Sequence, residues 1–260
     1  MNQNLVPSTA GWQPDKKFWV LHFWLPLLLA AVSLYVMQHS NLDLWLADKW
    51  FALQGHQWAW KHAWVSYDLI HHHGKQAVIS FGLLLLILII SSGFQKGLRL
   101  WRIPMTYLLA AMVLMPGVIA VLKKLNSAAC PWNLSRYGGD LPYLHTLDYQ
   151  FGLTLEAGHC FPAGHASGGF ALLAIYFAGL MYVKRPAWLL LPGFLVGAVF
   201  ALGQQSRGAH FLSHDIWTLS ICWFGSLGLF LLFQPKLWPR ESRSRAILLS
   251  SRPLHAPVRH

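Results

Sequence analysis

Long apolar runs separated by short polar segments dominate this chain. Six runs stand out, each bounded by charged residues, Pro or Gly: 18–37, 77–94, 103–122, 166–183, 187–203 and 215–234. A helix that crosses a bilayer needs about 20 predominantly apolar residues. The pattern therefore predicts an all-α integral membrane protein with six transmembrane helices.

The segment between the first two runs has a different pattern. From 38 to 75, Trp alternates with polar residues, as in WLADKWFALQGHQWAWKHAW, and three consecutive histidines follow at 71–73. Trp favours the membrane–water interface, so the pattern predicts short interfacial helices. The histidines raise the alternative of a metal site. Consecutive side chains diverge along a helix or strand, which favours a solvated patch, and no metal is expected.

Composition supports the membrane assignment, since 55% of the residues are hydrophobic, 11% are charged and 14 are Trp. The formal net charge of +11 would suggest nucleic-acid binding in a soluble protein. Here the basic residues are first of all topology signals, and no nucleic-acid partner is expected. No internal repeat or linker divides the sequence, so 1–260 is predicted to form a single membrane domain.

Lys and Arg separate the ends of the runs into two sets. The denser set lies in short loops or tails and comprises Lys16, Lys17, Lys96, Arg99, Arg102, Lys184, Arg185, Lys236, Arg240, Arg243 and Arg245. The positive-inside rule places this set in the cytoplasm, together with both termini and the tail 240–260. The loops 38–76, 123–165 and 204–214 then face outward. In a Gram-negative cell this means an inner-membrane protein with these loops in the periplasm.

Three outer segments carry ionisable residues that topology does not require: KKLNSAACPWNLSRYGGD, GHCFPAGHASGG and GQQSRGAHFLSHD. Ionisable groups close to a bilayer usually face a cavity or a partner. Cations outnumber anions here, and a positive pocket with several donors suits a phosphate. Gly164, at a helix start, would leave backbone N–H groups free for an anion. The candidate residues are Lys123, Arg136, Gly164, His165, Arg207, His210, His214 and Asp215.

Two histidines in such a pocket indicate nucleophilic phosphoryl transfer. One neutral imidazole attacks phosphorus and becomes a phosphohistidine. A second, protonated imidazole donates to the departing oxygen and later helps to activate water. A carboxylate would hold the nucleophile's other nitrogen in the right tautomer, and cations would offset charge on the non-bridging oxygens. This scheme needs no metal and no cofactor.

At these residues the chain resembles the type 2 phosphatidic acid phosphatase (PAP2) superfamily of membrane phosphatases. The family motifs are Lys-x6-Arg-Pro, Pro-Ser-Gly-His and Ser-Arg-x5-His-x3-Asp. Here Lys123 precedes Cys130-Pro131 by the first spacing, the second motif reads Pro162-Ala163-Gly164-His165, and the third aligns through His210. The resemblance covers about 120–234. It implies a six-helix core and hydrolysis of lipid phosphates, with His165 as acid and His210 as nucleophile.

Two arginines of the family motifs are missing from this sequence. Cys130 stands in place of the first, and Gln204 in place of the second. Arg136 and Arg207 lie nearby in the sequence, so we expect them to supply the missing charge from shifted positions.

The third motif leaves two candidate nucleophiles. With His210 as the nucleophile, His214 occupies the usual Asp position and Asp215 follows one residue later. If His214 were the nucleophile, its neighbour Asp215 would be poorly placed to orient it, because adjacent helical side chains diverge. The alignment favours His210 and leaves His214 as the alternative.

The resemblance also suggests substrates, since CPWNLSRYGG is similar to a bacterial branch of lipid A phosphatases. Lipid A, undecaprenyl pyrophosphate, phosphatidylglycerol phosphate and phosphatidic acid are the candidates, with the bilayer itself as a partner. Phosphotransfer to another lipid through the same site is one alternative. A non-catalytic lipid-phosphate binding or transport protein is another.

Two cysteines flank the motifs in outward loops. Cys130 and Cys160 each precede a Pro that begins or ends a motif, and the periplasm is oxidising. A Cys130–Cys160 disulfide would pin the first motif to the second, closing a loop of about 30 residues and contributing roughly 3 kcal/mol. The alternative is two free thiols.

Overall fold

The computed structural model describes residues 13–152 and 158–237, with side chains as far as 234. In these ranges all regular elements are helices, and the only β pairing consists of two isolated bridges. They are α1 Lys16–His39, α2 Leu42–Leu53, α3 Trp64–Ser91, α4 Arg102–Lys124, α5 from Gly164–Phe170 through Ala171–Leu173 to Ala174–Gly179, α6 Pro186–Ser206 and α7 Leu212–Leu237. The all-α prediction is confirmed, while the predicted cytoplasmic tail 240–260 lies outside the described residues.

Five of these helices are long and apolar enough to cross a membrane: α1, α3, α4, α6 and α7. The chain is therefore a multi-pass membrane protein, and five of the six predicted runs correspond to helices of membrane-spanning length and composition. The sixth, 166–183, corresponds to α5, which ends at Gly179 and is interrupted by the 3₁₀ turn Ala171–Leu173.

Helix α5 is apolar because protein surrounds it. It packs against α3, α4, α6 and α7, and every residue from Ala166 to Ala174 except Gly168 is buried. A helix that is hydrophobic all round is buried either in a core or in lipid, and periodicity alone does not distinguish the two. Gly169 lies so close to the backbone of Gly197 on α6 that any side chain at 169 would collide with it.

Helix α3 begins earlier than the apolar pattern predicts. The run at 77–94 becomes Trp64–Ser91, with π-helical geometry over Trp64–His73. The three histidines therefore lie in the first part of α3. His72 and His73 are exposed, in agreement with a solvated patch, whereas His71 is half-buried. Short helices do occupy the rest of the 38–75 segment, namely α2 and the 3₁₀ turn Ala59–His62.

One end of the helix bundle, here called the site end, gathers the predicted outer segments. Helices α1, α4 and α6 end there, and α3, α5 and α7 begin there. The connection after α4 crosses this end in 3₁₀ turns, Pro131–Asn133, Ser135–Tyr137 and Thr146–Asp148. The three candidate segments are consequently neighbours.

Candidate active site

The first and second segments meet where α4 ends and α5 begins. The Nζ atom of Lys123 lies 3.5 Å from the position that a Cβ on Gly164 would occupy. Asn126 donates from Nδ2 to the carbonyl oxygen of Phe161 at 2.6 Å, and Cys130 forms a disulfide with Cys160, their Cα atoms 5.3 Å apart. The absence of a side chain at Gly164 leaves the start of α5 open to the ammonium group.

The third segment is attached to the second through the first turns of α7. The backbone N–H of Ala163 donates to the carbonyl of His214 at 3.4 Å. The hydroxyl of Thr218 donates to the carbonyl of Ala163 at 3.2 Å and to that of His214 at 2.9 Å. These bonds fix the residues before His165 against the helix that carries His214.

His165 lies in the second position of α5 and is half-buried. Its Nε2 atom is 3.1 Å from the carbonyl oxygen of Ile70 on α3, and because a carbonyl only accepts, Nε2 carries the proton. Its ring centroid is 4.1 Å from that of Phe200 and 4.7 Å from that of His71. The imidazole is held between α3 and α6 by packing and one backbone hydrogen bond.

A chain of hydrogen bonds connects α6 to α3 beside His165. Arg207 donates from Nη1 to Oε1 of Gln204 at 3.1 Å, and Nε2 of Gln204 lies 2.9 Å from Nδ1 of His71. Arg207 also donates from Nε to the carbonyl of Lys61 at 2.9 Å, and its guanidinium lies over the ring of Tyr67 at 4.9 Å. Arg207, which is 5% exposed, is thus held at the site end.

The two candidate nucleophiles are both buried, with ring centroids 5.8 Å apart. His214 is in contact with the phenol of Tyr149, whose oxygen is 2.8 Å from Nε2. The Nδ1 atom of His210 has no hydrogen-bond partner in the described part of the chain, whereas the ring is hydrogen bonded to the backbone of Cys160. Burial lowers the pKa of His210 well below its ordinary value, and positive charge on Lys123, His214 or His165 lowers it further.

Asp215 is buried and has a partner other than a histidine. Its Oδ2 accepts a hydrogen bond from Nε2 of Gln205 at 2.7 Å, and its Oδ1 has no partner among the described residues. Neither His210 nor His214 is hydrogen bonded to this carboxylate. Its predicted orienting role therefore has no contact to support it in this conformation.

Arg136 is directed away from the other candidates. Its Nε and Nη2 atoms donate to the two carboxylate oxygens of Asp48 on α2, at 2.8 and 2.7 Å, and its side chain is 53% exposed. The phenol of Tyr137 donates to the same carboxylate at 2.9 Å. The expectation that Arg136 supplies charge to the pocket is not supported, because a fork-shaped ion pair already uses its guanidinium.

The remaining cations of the cluster have no carboxylate partner among the described residues. In residues 13–152 and 158–234 the structure records one ion pair, that of Arg136. Lys123 is half-buried and Arg207 is buried, and within these ranges neither has an acidic partner. Because a cation removed from water is stabilised by a counter-charge, this end of the bundle is suited to an anionic ligand.

An apolar cleft of about 570 Å³ leads along the membrane helices to this cluster. At its polar end it is lined by His71, Lys75, Gly164 and His165, and further along by residues of α3 and α4 such as Val78, Ile79, Gly82, Leu83, Leu86, Leu109, Met112, Val113 and Pro116. Ile79, Leu83 and Val113 are 51%, 55% and 61% exposed, so the cleft opens sideways between the helices.

Comparison of the sequence with protein-family models identifies the family to which this site belongs. The family model of the PAP2 superfamily matches residues 104–238, more than half of the chain. The chain belongs to the PAP2 superfamily. No curated protein and no solved structure matches it.

Membership in the PAP2 superfamily assigns the chain to phosphatases and phosphotransferases, and the matched region contains all three segments of the cluster. His71 lies outside the matched region, and the sequence analysis did not predict that it lines the cleft. The sequence signal for this position is its spacing of four residues from Lys75 and seven from Val78, which places all three on one face of α3. Among the described residues no group of three His, Cys, Asp or Glu side chains forms a metal site.

Proposed function

We propose that the protein is a lipid-phosphate phosphatase of the PAP2 superfamily that uses a phosphohistidine intermediate. Its substrate carries a phosphomonoester or pyrophosphate on a lipid, in the class of lipid A, undecaprenyl pyrophosphate, phosphatidylglycerol phosphate and phosphatidic acid. The site end faces the periplasm of a bacterial inner membrane, with both termini cytoplasmic. The distribution of Lys and Arg supports this orientation.

The apolar cleft is the observation that best supports a lipid substrate. It begins beside His165 and follows α3 from His71 to Leu86, a distance of about 22 Å at 1.5 Å per residue. One leaflet of a bilayer core is about 15 Å thick. An acyl or prenyl chain can therefore remain between α3 and α4 while its phosphate reaches the unpaired cations.

The proposed reaction has two displacements. A neutral nitrogen of His210 attacks phosphorus, the bond to the lipid oxygen breaks, and His165 gives a proton to that oxygen. Burial lowers the pKa of His165 to about 4, so the ring is protonated only when the negative charge of the bound phosphate lies beside it. Water then attacks phosphorus, its proton passes to His165, the P–N bond breaks, and phosphate leaves as the imidazole of His210 is restored. Lys123, Arg207 and the N–H groups at the start of α5 stabilise the non-bridging oxygens.

His210 is preferred over His214 as the nucleophile on the basis of its contacts. The Nδ1 atom of His210 has no hydrogen-bond partner in the described chain, and the side chain is 6% exposed, so this nitrogen is available to phosphorus. The Nε2 atom of His214 is engaged by Tyr149, and the side chain is 0% exposed. His214 is better suited to a packing role next to the nucleophile, since the two ring centroids are 5.8 Å apart.

Phosphate release from a short-chain lipid phosphate tests this function. Purified protein in detergent should release phosphate in the presence of EDTA and without any acceptor lipid. Release that depends on an added acceptor would instead indicate a phosphotransferase. Saturable binding of the lipid without turnover would indicate a binding or transport protein and contradict the proposal.

Filling the cleft should weaken binding of long-chain substrates. A Cβ on Gly82 would meet Leu109 and Met112 at 3.9 Å, so Gly82→Leu places its side chain in the cleft. Displacing about two buried methylenes, at about 0.8 kcal/mol each, raises KM roughly tenfold for a long-chain lipid phosphate. A water-soluble phosphomonoester should show no such rise.

The matched control for this substitution is Gly117→Leu on α4. Gly117 is exposed, does not line the cleft, and has nothing within 4 Å of its Cβ position. This variant should have the KM of the wild type for both substrates. An equal rise in both variants, or none in Gly82→Leu, would show that the substrate chain does not occupy the cleft.

The pKa of His210 gives a prediction that does not depend on turnover. Burial is the main cause that lowers this pKa below the ordinary value of 6.5, so the ring should stay neutral as the pH falls through 6.5. Histidine NMR of the detergent-solubilised protein, assigned with His210→Asn, should show the neutral form at pH 6.5. A midpoint at or above 6.5 would contradict the assignment of His210 as a nucleophile that is ready at neutral pH.

A further inference from the structure

We infer that His71 on α3 is a phosphate-binding residue of this site, oriented by Gln204 and Arg207. The inference rests on the proposed function and adds a fourth segment of the chain to it. His71 is the first of the three consecutive histidines, and its ring centroid is 4.7 Å from that of His165. The other two, His72 and His73, are exposed.

The hydrogen-bond chain determines which nitrogen of His71 carries the proton. Arg207 donates to Oε1 of Gln204, which fixes the orientation of that amide, so its NH₂ group faces Nδ1 of His71 at 2.9 Å. An amide nitrogen only donates, and Nδ1 must therefore accept. In the neutral ring the proton is then on Nε2.

The Nε2–H group of His71 is left as a donor without a protein acceptor in the described chain. His71 lines the polar end of the cleft together with Lys75, Gly164 and His165. Lys75 lies four residues later on the same face of α3. This face therefore presents a neutral donor and a cation at the position where the lipid chain would give way to its headgroup.

The location of His71 in a π-helical stretch agrees with this role. The segment Trp64–His73 has π geometry, and π-helical turns within α-helices are frequent at functional sites. The ring stacks on Tyr67 with centroids 5.9 Å apart, and Tyr67 also carries the guanidinium of Arg207. His71 and Arg207 are thus held together on two sides, by Gln204 and by Tyr67.

The test compares His71→Phe with His72→Phe in the full-length protein in detergent. Phe keeps the ring contacts but removes both nitrogens, so His71→Phe should raise about tenfold or more both the KM for a short-chain lipid phosphate and the Ki of inorganic phosphate. His71→Gln, which retains an N–H donor, should recover most of this loss. His72→Phe, which replaces an exposed neighbour, should behave as wild type.

The outcomes separate this inference from the function on which it rests. A folded His71→Phe variant whose KM and Ki lie within twofold of wild type overturns the role of His71 while the proposed function stands. Wild-type protein that neither binds nor releases phosphate overturns the proposed function itself. Should His71→Phe lack a melting transition, His71→Asn is measured instead, and an unchanged Ki there overturns the inference, since its shorter amide does not reach as far as Nε2.

Discussion

His210→Ala is expected to abolish phosphate release. The substitution removes the atom that bonds to phosphorus, and neither water nor a neighbouring side chain replaces it in a site built for a covalent intermediate. We expect turnover to fall by at least about 10⁴-fold, as is typical when an enzyme loses its nucleophile. His165→Ala should also reduce release by about 10² to 10⁴-fold, because the leaving oxygen then departs without a general acid.

His214→Ala is the matched comparison for His210→Ala. Both side chains are buried imidazoles near the start of α7, with centroids 5.8 Å apart, so a general loss of packing affects the two variants similarly. If the two variants have similar melting temperatures, only His210→Ala should lack activity. Retained turnover in His210→Ala together with its loss in His214→Ala would exchange the roles of the two residues.

Arg207→Ala is expected to reduce turnover by about a hundredfold. Its Nε and Nη1 atoms are held by Lys61 and Gln204, while Nη2 has no acceptor in the described residues and remains available to a phosphate oxygen. Removing one preorganised donor to a transition state typically costs 10² to 10³ in rate. The measurement is kcat for a short-chain lipid phosphate. Arg207→Lys serves as a comparison, because it retains the positive charge but loses the planar guanidinium with its several N–H donors.

Arg136→Ala provides the control for Arg207. It removes a guanidinium from the same end of the bundle, but one that is exposed and paired with Asp48. Exposed ion pairs contribute little to stability, about 0 to 1 kcal/mol, so the variant should fold and turn over at nearly the wild-type rate. Equal losses in both arginine variants would restore the expectation that Arg136 also serves the pocket.

Much of this fold was readable from the sequence because lipid imposes a strong pattern. Apolar runs located α1, α4, α6 and α7 closely, since each must cover about 30 Å of hydrocarbon. The same signal failed for α5, which is apolar because other helices enclose it. It also missed the first 13 residues of α3, where His71 and Tyr67 replace aliphatic residues on the face that meets Arg207.

The site was predictable as far as its motifs are local. Lys123, Gly164 and His165 lie in short patterns, and the structure brings Lys123 to Gly164. The partners of the two arginines were not predictable, because Asp48 lies 88 residues from Arg136 and Lys61 lies 146 residues from Arg207. Such pairs depend on how the helices pack, and the single sequence contains no periodicity that records them.

The covalent intermediate provides the most direct test of the account. Purified protein is mixed with a lipid phosphate that carries a radiolabelled phosphoryl group, quenched in alkali and digested, and the labelled peptide is sequenced by mass spectrometry. The account predicts an acid-labile label on His210 that is absent from His210→Ala. In His165→Ala the label should persist longer, because His165 no longer takes the proton from the attacking water. Turnover without any labelled histidine, or with the label on another residue, would contradict it.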